Sequence, residues 1–169
     1  MPTSGSSYSR GRTSPEKALQ KLKHYCGYQE RSHAEVKQKL YSLGFFGKEA
    51  EELISRLIQD EYLNEERFAM AYASGKSRNN GWGRIKIRHE LNRKNQQILY
   101  SKSADSLDEA EYTAGFQRIA GKKWLSLQSE KNIFAKKNKW QQFLLQRGFE
   151  PSIIKTWSFP ERATGPDSE

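Results

Sequence analysis

The chain of 169 residues carries 29 lysines and arginines against 20 acidic residues, a formal charge of +9, with 35% hydrophobic and 29% charged residues. That length admits one compact domain or a row of small units rather than two large domains, and so low an apolar share implies a thin core under a large solvated surface. No run of about 20 apolar residues occurs and Met1–Ser14 has no apolar stretch, so neither a spanning helix nor a secretory signal is expected, and the cytoplasm is the expected compartment.

Residues 1–13, mostly Ser, Gly, Arg and Tyr, and residues 160–169, polar with two prolines, are expected to be disordered tails. Ser14-Pro15-Glu16 is a helix start: a side-chain acceptor at the cap, proline at the first helical position, and a carboxylate at the positive end of the dipole. The helix predicted from Pro15 to about Tyr25 places Ala18, Leu19, Leu22, Tyr25 and Cys26 on one face. A second opens at Ser32, where Glu35 completes a capping box, carries Val36, Leu40 and Leu43, and stops at Gly44. A third runs from about Lys48 to Asp60 with Ala50, Leu53, Ile54, Leu57 and Ile58 apolar.

Helical periodicity resumes at Glu65–Ser74, with Asn64, Glu65 and Glu66 ahead of Phe68, Ala69, Tyr72 and Ala73. Asn79–Gly83 reads as a flexible loop. Its Trp82 either stacks on a base or fills a partner's pocket, or else caps the core of its own unit. Further helices are expected around Lys86–Leu91, weakly over Ile98–Leu107, from about Asp108 to Leu125, around Lys139–Leu144, and over Pro151–Trp157. No segment alternates for long enough to argue a strand, so the chain is expected to be all-α.

The middle helices repeat. Val36, Ile87 and Trp140 correspond, as do Leu40, Leu91 and Leu144, at spacings of 51 and 53 residues. Gly44, Asn95 and Gly148 stand where each of these helices must stop in a left-handed residue, and Phe45 and Phe149 follow two of the stops as if packing back. Chance matches at a few apolar positions are the competing explanation, but stop residue, spacing and preceding helix agree. The pattern predicts three-helix units over residues 14–63, 64–107 and 108–159. Each has too few large apolar residues to stand alone, so the units must lean on one another in an elongated, curved array.

Charge is polarised along the repeat. Between Lys76 and Lys102 there are eight basic residues and one acidic residue, Glu90, while Lys48–Glu66 holds seven acidic residues against two basic, Lys48 and Arg56. The candidate partner- and DNA-binding residues are Lys76, Arg78, Trp82, Arg84, Lys86, Arg88, Arg93 and Lys94, with Arg84 and Arg88 sharing a helix face. Such a ridge can meet phosphates or the carboxylates of a partner, or it can be a solvated face that aids solubility. A second basic cluster runs through Lys122, Lys123, Lys131, Lys136, Lys137 and Lys139, and Trp124, Trp140 and Trp157 fall at core positions.

No catalytic residues, metal site or cofactor are expected. Cys26 is alone, His24 points away from it on a helix, three histidines give a zinc site no soft ligands, and no GxxxxGK phosphate loop occurs.

Two motifs carry a family resemblance. Tyr62-Leu63-Asn64-Glu65-Glu66-Arg67-Phe68-Ala69 resembles the junction between the first and second modules of the RecX family, small bacterial regulators of the RecA recombinase. Gly81-Trp82-Gly83-Arg84-Ile85-Lys86-Ile87-Arg88-His89-Glu90-Leu91-Asn92-Arg93-Lys94 is similar to that family's glycine-then-basic-helix pattern. The sequence departs from the pattern at Asn95-Gln96, where the family has Gly and an aliphatic residue, and in the polar Ser101–Ser106 stretch.

The resemblance covers roughly Ser14–Phe159. It implies a bent array of three modules, acting as a monomer without catalysis, that lodges in the groove of the RecA–DNA filament and blocks strand exchange and coprotease action. Single- and double-stranded DNA would then be met weakly and through the filament, and membranes not at all. The alternative is a nucleic-acid-binding protein that acts on DNA directly, without a recombinase.

Overall fold

The structure, a computed structural model, describes residues 13–94 and 101–160, without the side chains of Lys94 and Ser101. The expected tails therefore lie outside the described residues over 1–12 and 161–169, as do Asn95 and the start of the weak Ile98–Leu107 helix. The described residues are helical, with turns and connections between helices and no strand.

The first three helices are α1 (Pro15–Tyr28), α2 (His33–Ser42) and α3 (Gly47–Gln59). Ser14 Oγ accepts the Lys17 N–H at 3.3 Å, and α1 runs three residues beyond the predicted Tyr25. At α2 the capping box is complete: the Glu35 carboxylate accepts the Ser32 N–H at 2.8 Å while Ser32 Oγ accepts the Glu35 N–H at 3.2 Å. Gly44 ends that helix at φ 83°, a left-handed conformation that glycine adopts without a Cβ clash. The turn lets the Phe45 N–H donate to Leu40 O at 3.0 Å and drives the Phe45 ring wholly inside. Around it pack Ala18, Leu22, Val36, Leu40 and Leu57, each worth about 1.5–3 kcal/mol where the side chain is large.

A second group comprises α4 (Glu65–Asn80), α5 (Arg84–Lys94) and α6 (Ser101–Asp105), around Phe68, Ala69, Ala73, Ile87, Leu91 and Ala104. Two expectations are corrected here. The helix predicted to end at Ser74 continues to Asn80, so Asn79 and Asn80 form its last turn, and Gly81 and Gly83 are buried rather than loose. The stretch Ser74–Asn80 is polar, and apolar periodicity reports which face is buried rather than where hydrogen bonding stops. Gly81, left-handed at φ 62°, supplies the stop. Polar α6 contributes only small side chains, Ala104 and Ser103, which is why it can be five residues long.

The last group is α7 (Glu109–Ser126), α8 (Ile133–Gln146) and α9 (Pro151–Ile154). Gly148 at φ 81° and Phe149, whose N–H donates to Leu144 O at 3.1 Å, reproduce the Gly44–Phe45 turn. Trp140 donates its indole N–H to Ala120 O at 2.9 Å. The final helix ends at Ile154 instead of Trp157, yet Trp157 and Phe159 still close over Trp140, with ring centroids 5.7 Å and 5.0 Å away.

The repeat positions share one environment. Val36, Ile87 and Trp140 are 0%, 0% and 2% exposed, and Leu40, Leu91 and Leu144 are 0%, 1% and 0%. Three apolar clusters result, one per helix group, and Leu107 packs against both the second and the third. At the first junction the start of α4 is tied back by Arg67 to Glu30 at 2.8 Å and by Glu65 to His33 at 3.0 Å. At the second, α4 packs against α7.

Candidate functional site at the junction of the second and third helix groups

The basic stretch singled out in the sequence begins where two backbones touch. The Gly83 N–H donates to Arg147 O at 2.8 Å and the Ile85 N–H to Gly148 O at 3.0 Å, so the turn before α5 is hydrogen-bonded to the turn after α8. Only glycines allow this. A Cβ on Gly83 would stand 2.2 Å from the Gly148 carbonyl carbon, and one on Gly148 would stand 2.4 Å from Lys86 N. From the other side, Arg147 Nη1 donates to Asn80 O at 2.6 Å, capping the negative end of α4.

Arg84 is the centre of this joint. Its side chain is only 12% exposed, with Nη2 2.6 Å from Glu109 and Nη1 3.5 Å from Glu150. Nε donates to Ala104 O at 3.2 Å, and the guanidinium lies 4.0 Å over the Tyr112 ring. Burial works against its charge, but the Glu109 hydrogen bond and the Glu109 and Glu150 charges outweigh that and hold its pKa above the ordinary value. Tyr112 OH accepts the Arg84 backbone N–H at 3.0 Å and donates to Glu150 at 2.6 Å. Burial first, and that donated bond second, push the phenol well above its usual range, so it stays a donor at neutral pH.

The sequence-predicted residues thus divide. Arg78 pairs with Glu111 at 2.6 Å, Arg88 with Asp105, and Arg93 with Glu90 at 2.9 Å, so the arginines meet carboxylates of this same chain. Lys76 and Lys86 have their amino groups 5.0 Å and 4.6 Å from the Trp82 ring, and Trp82 packs on the Phe68–Leu91 core of its own group. Its capping role is what the packing displays. Lys94's side chain lies outside the described residues.

A cleft of about 700 Å³ opens beside the joint, lined by Arg78, Arg118, Lys122, Lys123 and Arg147 around Phe143. Along the sequence Lys122 and Lys123 belong to the second basic cluster, and Arg118 and Arg147 stand outside both clusters. Residues 118 and 122 are four apart on α7, a spacing that puts both cations on one face, and this was the signal available. Nothing local could bring Arg78 and Arg147 to them.

Among the described residues no group of His, Cys, Asp and Glu is placed to hold a metal ion. Burial pushes the Cys26 thiol up to about 11, far from a nucleophile's range. No helix of the described residues is long and apolar enough to cross a membrane.

Comparison with known proteins bears on which family builds such a joint. Residues 64–95 match a family model described as RecX, second three-helix domain, and residues 110–157 match one described as RecX, third three-helix domain. A regulatory protein RecX of Pelodictyon phaeoclathratiforme is 32% identical over 130 residues, covering 77% of this chain and 79% of that one. One from Bacillus cytotoxicus is 28% identical over 141 residues, and there the match takes in 83% of this chain but 52% of the relative's length. The crystal structure of RecX from Lactobacillus salivarius superposes with a TM-score of 0.72 at 25% identity, over 84% of this chain and 92% of the other. Sequence identity over most of both chains, matched modules and the shared arrangement of three three-helix modules together mean that the chain belongs to the RecX family of regulatory proteins.

Proposed function

We propose that this protein is a monomeric cytoplasmic regulator that acts by binding rather than by catalysis. It lodges in the groove of a RecA–DNA filament and restrains strand exchange and coprotease action. The observation that carries the reading is the cationic side of the joined second and third modules: Lys76 and Lys86 around Trp82, and beside them the cleft of Arg118, Lys122 and Lys123. Ammonium and guanidinium groups clustered on one protein attract a polyanionic polymer by long-range steering and counterion release. In this reading residues 14–63, 64–107 and 108–159 are the working modules, and Arg84 serves the joint while the lysines meet the partner. DNA is contacted weakly and within the filament.

The test adds the purified chain to RecA, single-stranded DNA and ATP. Strand exchange and ATP hydrolysis are expected to fall with increasing protein, and unchanged rates at a large excess would defeat the proposal.

A further inference from the structure

The first module carries a groove that the filament reading does not use. It lies between α1 and α2, with a volume of about 810 Å³, and no Asp or Glu lines it. Lys17, Lys21, Arg31 and Lys39 stand along it, and none of these pairs with a carboxylate among the described residues. The cations of neighbouring faces differ, since Lys23 is held by Asp60 and Lys37 by Glu51. Positive charge here is therefore left for something outside the chain.

Two tyrosines accompany those cations. Tyr25 carries the Arg31 guanidinium 3.9 Å over its ring, and Arg31 Nε also donates to Tyr25 O at 3.3 Å, so this pair is positioned in advance. Tyr28, the last residue of α1, is 81% exposed and makes no ring contact among the described residues. A phenol ring held in water on a helix end contributes nothing to the core, and its face is open to a flat ligand. From Lys17 to Tyr28 the helix rises about 16 Å, the length of a few nucleotides.

We infer that this groove seats a short stretch of single-stranded nucleic acid, with phosphates on Lys17, Lys21, Arg31 and Lys39 and an unpaired base on Tyr28. Cations tracking a backbone with an aromatic face between them is how single strands are held without sequence preference. An acidic peptide would use the same cations but has no flat face for the tyrosine. A duplex satisfies the cations and hides its bases, so the groove prefers the single strand.

The test is equilibrium binding of the full chain, without recombinase, to a fluorescent oligothymidine of about a dozen nucleotides, alongside an abasic strand and a duplex of the same length. Tyr28→Ala is expected to weaken oligothymidine binding about tenfold and leave abasic-strand binding within about twofold, while Tyr28→Phe binds as the parent does. Lys21→Glu with Lys39→Glu weakens both single strands by about tenfold or more, and all variants keep the parent circular dichroism. Oligothymidine binding unchanged by Tyr28→Ala overturns the inference, as does parent affinity for the abasic strand equal to that for oligothymidine. Competition by polyglutamate as strong as by oligothymidine would assign the groove to an acidic protein segment instead.

Discussion

At Tyr112 one hydroxyl serves two modules. It accepts from the Arg84 backbone and donates to Glu150, so Tyr112→Phe leaves a buried N–H and a carboxylate oxygen each short of a partner. The expected loss is about 1–3 kcal/mol, read from urea unfolding at neutral pH. The same phenol makes a pH prediction. Its folded pKa lies above the unfolded value of about 10, so its stabilisation is complete below that pH and declines as pH rises past it. Parent stability should therefore fall more steeply above about pH 10 than that of Tyr112→Phe. Gly83→Ala tests the joint without a change of polarity: its methyl would meet the Gly148 carbonyl, so one backbone must retreat. We expect a loss above about 2 kcal/mol, with the Gly83 N–H, which donates to Arg147 O, losing its protection from hydrogen exchange. Cys26, buried with its thiol pushed up to about 11, should resist alkylation at neutral pH until the first module opens.

Helix ends are the element-scale device that recurs. Asn64 caps α4 through the Arg67 N–H and Asp108 caps α7 through the Glu111 N–H, while Gly44, Gly81 and Gly148 turn the chain out of α2, α4 and α8. Ser32→Ala removes one half of the α2 capping box and should cost about 1 kcal/mol, seen as a lower melting temperature with native helicity kept below it. These ends were readable from local chemistry, because a cap needs one short polar side chain and a stop needs one residue that tolerates positive φ. Where the expectation failed, at the Ser74–Asn80 extension of α4, the residues are polar all round and periodicity had nothing to detect.

Across the whole molecule, the two junctions are built differently. Side-chain contacts, Arg67 to Glu30 and Glu65 to His33, bridge the first, whereas glycine backbones in direct hydrogen-bonded contact, with Arg84 paired to Glu109 and Glu150 beside them, hold the second. The second and third modules accordingly form the firmer frame, and the proposed filament-facing lysines sit on it. A double and a single substitution separate frame from surface. Lys76→Glu with Lys86→Glu is expected to weaken filament binding at least about tenfold, most at low salt, with little change in melting temperature. Arg84→Glu places a carboxylate against Glu109 and Glu150, so it should lower the melting temperature first. Equal melting temperatures for the two would detach Arg84 from the joint.

Helix identity, the spacing of Val36, Ile87 and Trp140, and the stops at Gly44 and Gly148 follow from periods of three to four residues and from single-residue conformational preference, and all were legible along the chain. The fate of the charges was not. Arg84 and Arg88 looked like an open basic ridge, and their partners Glu109, Glu150 and Asp105 lie 25, 66 and 17 residues away. Coulomb attraction acts through space and at short range, so which arginine is neutralised and which lysine stays available depends on how the modules pack. A linear pattern carries no record of that distance.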